Sequence, residues 1–136
     1  MICAAGPWTN ELLRLDIPNA KKKVRTTKGI HIVYKGEISK HAVLIGSQSD
    51  RRIFFVIPWM GNSLIGTTDT DFQGDPADVA ATLDDVDYVL ASCAEYFPRN
   101  PLTRDDVIAT WAGLRPLLAP PEKGDDMAES QVSREH

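Results

Sequence analysis

Cysteine is scarce in this 136-residue chain: Cys3 and Cys93 are the only two, far apart and without neighbours at metal-ligand spacing. That usage excludes a small disulfide-stapled fold and a cysteine-built zinc site, and it suits a reduced, intracellular setting. Long apolar runs are also missing. No stretch reaches transmembrane length and the first residues lack a signal-peptide pattern, so any membrane contact by this segment is expected to be peripheral. Positive charge is not in excess: the formal net charge is -4, which argues against a general nucleic-acid binder, whose affinity rests on neutralising many phosphates. Lys21, Lys22 and Lys23 form the one basic cluster and read as a solvated loop. None of the nine glycines falls in a GxGxxG or Walker pattern, so the chain by itself has no turn of the kind that cradles a dinucleotide pyrophosphate.

What the chain does have is the material of one soluble domain, with 43% hydrophobic and 25% charged residues, enough to bury a core. Ile2, Cys3, Ala4 and Ala5 read as the last residues of a buried strand, Gly6-Pro7-Trp8 as a turn, and Thr9 as the cap of a helix to about Leu15. A domain seldom begins in mid-strand, so the N-terminus looks interrupted. From Lys28 the pattern becomes a meander, with strands predicted at 28–34, 43–45, 53–57 and 64–67. The stretch 47–50 and the pair Gly61-Asn62 supply the turns. Val86, Val89, Leu90, Cys93 and Phe97 recur at helical spacing behind Thr82 and Asp85, which fit a capping box, and Pro98 closes a helix predicted over Leu83 to Phe97. Its apolar stripe is expected to lie on the sheet, with Cys93 in the core rather than acting as a reactive thiol. Thr103 to Asp106 reads as a short helical turn and Val107 to Leu117 as a strand. Pro120 to Glu129 reads as a mobile loop, and Ser130 to His136 as the start of a further strand.

The predicted fold class is therefore α+β, a mainly antiparallel sheet with helices packed on one face. Three parts are expected: residues 1–20, residues 21–119 as the main α+β domain, and residues 120–136 as loop and strand start.

The most telling stretch is ATWAGLRPL, Ala109 to Leu117. Pro116 holds its own φ and drives Arg115 into the extended region, so the guanidinium leaves the strand in a defined direction. Held that way, it can grip a carboxylate or phosphate through two parallel hydrogen bonds, or simply pair with a local carboxylate. His31, in KGIHIV, is either a satisfied core histidine or a group facing a ligand. Trp59 and Trp111 read as core aromatics rather than stacking platforms, and Thr67 and Thr68 as structural. Asp69, Asp71, Gly74 and Asp75 begin like a calcium loop. The position of its bidentate glutamate holds Ala80, so no metal site is expected.

Taken together, AAGPW at Ala4 to Trp8, KGIHIV at Lys28 to Val33, PWMGNSLIGTTDTDFQGDP at Pro58 to Pro76, the LRPL run and SQVSREH at Ser130 to His136 resemble the middle of the FAD-dependent glycerol-3-phosphate dehydrogenase family. The resemblance implies the substrate-binding domain of an amino-acid-oxidase-like flavoenzyme, with residues 1–20 as the tail of its FAD-binding domain and a connecting helix. It implies oxidation of sn-glycerol 3-phosphate to dihydroxyacetone phosphate, a hydride passing from substrate C2 to flavin N5 and electrons then to a quinone. Arg115 and Arg134 match arginines at the substrate's anionic end. His31 matches a histidine near the reacting end, where it takes the hydroxyl proton or only hydrogen-bonds the substrate. Ala5 and Gly6 match a turn close to the flavin, though the same residues also suit a plain strand-to-helix turn. FAD is expected in the complete enzyme and not in this segment, which is expected to be inactive alone. The complete enzyme is expected in the cytoplasm, peripheral on the cytoplasmic membrane. Two other readings remain: another flavin oxidase of the amino-acid-oxidase class, and a non-catalytic module binding a small phosphorylated ligand.

Overall fold

The computed structural model describes residues 2–47, 52–99 and 101–119. Among these residues, two α-helices, α1 (Thr9–Asp16) and α2 (Leu83–Ala94), accompany six strands: β1 (Val24–Tyr34), β2 (Val43–Gly46), β3 (Ile53–Trp59), β4 (Asn62–Gly66), β5 (Thr70–Asp71) and β6 (Val107–Leu118). They form one sheet in the order β2-β3-β4-β1-β5, with β6 also paired to β1. The registered pairs β1–β4, β1–β5, β2–β3 and β3–β4 are all antiparallel. The expected mainly antiparallel α+β class is what the structure has. No helix among the described residues is long and apolar enough to cross a membrane. The expected loop at 120–129 and the strand start at Ser130 to His136 lie outside the described residues.

By compactness the described residues divide into two units: those within 1–28, 70–79 and 114–136, and those within 29–69 and 80–113. In the first, a 3-10 turn at Gly6–Trp8 runs directly into α1. Thr9, expected as the cap, is instead the first helical residue, and its hydroxyl donates to the Gly6 carbonyl at 2.8 Å. The turn shifts the helix start because Trp8 N–H already closes back on the Ala5 carbonyl. Residues 2–5 form no strand, and Ile2 is almost fully exposed. A strand needs a neighbour for its backbone groups, and no described strand pairs with this segment. Asn10 ties α1 to β1: its side-chain oxygen accepts from the Lys23 and Val24 N–H groups, and its amide nitrogen donates to the Val24 carbonyl. Arg25 Nε donates to the Asp71 carboxylate at 2.7 Å, and Asp75 caps the 3-10 turn Pro76–Asp78 through Ala77 N–H. Two acids of the calcium-like run thus have structural partners. Among the described residues no group of three or more potential ligands converges.

The second unit holds the main core. Ile30, Ile32 and Tyr34 of β1, Ile45 of β2, Phe54 and Val56 of β3 and Ile65 of β4 meet Val86, Val89, Leu90 and Cys93 of α2. The helix stripe read from the sequence is the one that packs. The capping box forms as the spacing predicts: Thr82 Oγ1 accepts from Asp85 N–H, and the Asp85 carboxylate accepts from Thr82 N–H. The helix stops at Ala94, short of the expected Phe97. There the Tyr96 and Phe97 N–H groups both turn onto the Cys93 carbonyl, while the Tyr96 hydroxyl donates to the Gly46 carbonyl on β2. The β3–β4 hairpin turns at Met60-Gly61, one residue before the expected Gly61-Asn62, with Trp59 opposite Asn62. Both turn residues have positive φ, 49° and 76°, the geometry a two-residue hairpin requires to match strand twist. Asn62 follows and donates back to the Met60 carbonyl.

Cys93 is fully buried, and burial pushes its thiol up to about 12, whereas Cys3 is exposed. Titration of the folded chain with a thiol reagent near pH 8 is expected to modify Cys3 alone, with Cys93 reacting only after denaturant is added. Because the unfolded thiol ionises near 9.0 and the folded one later, the unfolded state binds fewer protons between these values. This thiol therefore lowers stability as pH rises through that window.

Candidate functional site

The strand period of two decides where His31 points. Along β1 the fully or nearly fully buried Ile30, Ile32 and Tyr34 take the core side, so His31 and Val33 take the opposite face. His31 is partly buried on that face and lies outside the core cluster. Cross-strand register extends the row: His31 faces Gly66 on β4, Gly66 faces Phe55 on β3, and Phe55 faces Leu44 on β2. Phe55 and Leu44 remain about half exposed. His31 therefore sits at one end of an apolar surface that the core of its own unit does not cover.

Two neighbours shape its position. Gly66 has no room for a side chain: a Cβ there would stand 2.6 Å from His31 Cδ2 and 2.6 Å from the Ile30 carbonyl oxygen. On β6, the Trp111 indole stacks on the imidazole with ring centroids 5.6 Å apart and planes 21° from parallel, an offset-stack geometry. Trp111 is 45% exposed and Trp59 is 47% exposed, so neither is the core aromatic that the sequence suggested. A strand pattern alone does not say which face of an aromatic residue will be covered. The Gly66–Thr67 peptide is cis. Just beyond it, the buried Thr68 hydroxyl accepts the Ile30 N–H at 3.1 Å, and Thr67 Oγ1 donates to the Thr68 carbonyl. The GTTD run is thus structural in its threonines, and its glycine supports the histidine.

Arg115 belongs to the first unit, half-buried near the end of β6, where the strand continues through Pro116 to Leu118. The extended backbone expected before a proline is present. Ala5 and Gly6 are in the same unit. Gly6 has φ 54° and open space where a Cβ would be, and it lines a cavity of about 210 Å³ together with Pro116 and Leu117. A larger cavity of about 540 Å³ mixes Arg14, Lys22 and Arg25 with Glu11 and Asp71. Arg25 is already paired there, so its charges do not converge on an anion. Arg134 lies outside the described residues.

The profile of the FAD dependent oxidoreductase family, DAO, matches residues 1–131. The glycerol-3-phosphate dehydrogenase 2 of Mycobacterium tuberculosis (strain ATCC 25618 / H37Rv) is 38% identical over 136 residues, which is 100% of this chain and 22% of that protein. An alpha-glycerophosphate oxidase of Enterococcus casseliflavus is 38% identical over 122 residues, 87% of this chain and 20% of the oxidase. The X-ray structure of the Bacillus halodurans glycerol-3-phosphate dehydrogenase complexed with FAD superposes with a TM-score of 0.76 at 41% identity, over 85% of this chain and 24% of that one. The chain thus spans between a fifth and a quarter of the length of these relatives.

The close approach at Gly66 gives a stability test. Gly66→Ala must move both the Ile30 backbone and the His31 ring, or shift its own strand away from them, and overpacking of this kind costs about 1–3 kcal/mol. Gly113, with nothing within 4 Å of an added Cβ, should accept alanine within about 0.5 kcal/mol. Urea midpoints of the two variants are expected to differ in that order.

Proposed function

Since the chain belongs to the FAD-dependent oxidoreductase family and matches its glycerol-3-phosphate dehydrogenases from end to end, we propose that it is the substrate-domain segment of such an enzyme, oxidising sn-glycerol 3-phosphate to dihydroxyacetone phosphate. The observation that carries this reading is the identity of 38% over the whole chain, together with 41% and a TM-score of 0.76 to an FAD-bound relative. We assign residues 1–20 to the tail of the cofactor domain and its connecting helix, 21–119 to the substrate domain, and 120–136 to the connection that follows.

The reaction removes a hydrogen with its electron pair from C2 and a proton from the C2 hydroxyl, leaving a ketone on a molecule whose other end is a phosphate dianion. Arg115 binds that phosphate, its guanidinium directed by the extended backbone before Pro116, and Arg134 supplies a second donor pair. His31 faces the C2 hydroxyl and takes or holds its proton. The row that starts at His31 continues across the sheet through Gly66 and Phe55 to Leu44.

FAD, when bound, supplies the two-electron acceptor. The residues present fit part of it: the methyl of Ala5, the bare backbone of Gly6 and the open space beside it suit close approach of a flat ring edge. The adjoining cavity of about 210 Å³ is smaller than the roughly 300–1,000 Å³ of ligand sites in general, and the chain lacks the glycine-rich turn that grips a pyrophosphate. Those parts of the site belong to the remaining length of the complete protein, which we place peripherally on the cytoplasmic membrane, with a quinone receiving the electrons. The 38% identity to an alpha-glycerophosphate oxidase supports a second reading for the final acceptor, molecular oxygen. Oxygen uptake compared with quinone reduction by the complete enzyme separates the two.

In the complete, flavin-loaded enzyme, Arg115→Ala and Arg134→Ala are expected to weaken binding of glycerol 3-phosphate by roughly ten- to over a hundredfold, the loss of about 1.5–3 kcal/mol for a charge-assisted bond in a shielded site. Flavin content should hold. Lysine at either position should restore only part, because a point charge cannot reproduce the two-pronged grip. His31→Ala should lower kcat more than it raises KM. Unchanged steady-state constants in both arginine variants would remove them from the site.

A further inference from the structure

We infer that Trp111 is a positioning residue for His31: the indole on one side and the bare backbone of Gly66 on the other clamp the imidazole in one plane. The reading rests on the proposal that His31 acts at the reacting hydroxyl, and it adds residues to which that proposal gave no role.

The χ2 angle of histidine is broad and close to twofold, so an imidazole on an open sheet face swings its two nitrogens through a wide arc. A group that takes a proton must hold one nitrogen within hydrogen-bond reach of it. Here two walls limit the swing. Gly66 is directly opposite His31 in the β1–β4 register, and its α-carbon lies so near that an added Cβ would stand 2.6 Å from Cδ2 and 2.9 Å from Cγ of the ring. Trp111, reaching in from β6, covers the imidazole with planes 21° apart. Burial alone does not account for the tryptophan, which leaves 45% of its surface open and is absent from the core cluster. All three residues belong to the same compact unit. Thr68 completes the support from behind by accepting the Ile30 N–H, which fixes the β1 backbone next to the histidine.

The clamp accounts for three sequence features with one geometry: a tryptophan at a half-open position, a glycine at the end of β4 where no turn requires one, and a threonine two residues later whose hydroxyl is buried. A displacement of about 1 Å at a reacting group can cost on the order of a hundredfold in rate. Loosening the ring should therefore appear in kcat, and binding of the phosphate end should be spared.

The test uses the complete, flavin-loaded protein with Trp111→Leu, Trp111→Phe, Gly66→Ala and, as a control on a second half-exposed tryptophan, Trp59→Leu. Trp111→Leu is expected to lower kcat by about ten- to a hundredfold while KM shifts by less than about threefold. Phenylalanine at 111, which keeps a stacking face, should recover most of the loss, and Trp59→Leu should match wild type. A second readout does not depend on turnover. With carbon-13-labelled histidine, the His31 ring resonance carries the ring-current shift of the indole, so it should move in Trp111→Leu and Gly66→Ala and stay in Trp59→Leu. Wild-type kcat in Trp111→Leu, in an enzyme whose His31→Ala variant is impaired, would overturn the positioning role. If His31→Ala itself turns over normally, the catalytic reading of His31 fails, and an unmoved resonance in Trp111→Leu would then also overturn the clamp. Should Trp111→Leu lose its flavin, the resonance and kcat of Trp111→Phe decide, and loss of activity there without movement of the ring signal contradicts the proposal.

Discussion

Side chains on a strand alternate between two faces, and the second unit is arranged around that alternation on β1. Ile30, Ile32 and Tyr34 fall on one side, where they meet β3, β4 and the apolar stripe of α2. His31 is thereby committed to the other side. A slip of one residue in the β1–β4 register would place the imidazole in the core and two isoleucines in the open. The register is held by the Met60-Gly61 hairpin, which fixes β4 against β3, and by the Thr68 hydroxyl, which takes over the Ile30 N–H where the ladder to β4 ends. Fold and candidate chemistry therefore share one cause, since the packing that stabilises the unit is also what exposes its histidine.

The covered and uncovered faces have different properties. On the core side, α2 is anchored by a capping box at Thr82 and Asp85 and buries Cys93 so fully that its thiol has little nucleophilic character at neutral pH. On the other side, Trp111 beside His31 and Phe55 and Leu44 two and three strands along the same row stay about half exposed, an apolar surface that the core does not cover. The family match and the identities of 38–41% to proteins four to five times as long fit that picture.

Much of this was legible in the sequence, and the exceptions have physical reasons. The stripe of α2 and its cap were readable because helical spacing and the Thr-x-x-Asp pattern are local. Strand positions followed from apolar runs and turn residues, and the family resemblance from five segments in order. The hairpin was misplaced by one residue because Met60 occupies the left-handed region, which its identity does not announce. The first four residues of β1 and the two-residue β5 have no hydrophobic pattern, since polar residues such as Arg25, Thr26 and Thr70 are held there by pairing. Trp111 was assigned to the core because aromatic residues usually go there. Its real neighbour is set by the long-range pairing of β6 with β1, which no local signal encodes.

The central claim is that the face opposite the core, with His31 on it, is where glycerol 3-phosphate reacts. The most direct measurement is the rate at which diethyl pyrocarbonate modifies each histidine of the flavin-loaded complete protein, read by mass spectrometry with and without glycerol 3-phosphate. The substrate is expected to slow modification of His31 severalfold while His41, in a different stretch of the chain, reacts at the same rate in both conditions. Equal rates at His31 with and without saturating substrate would contradict it.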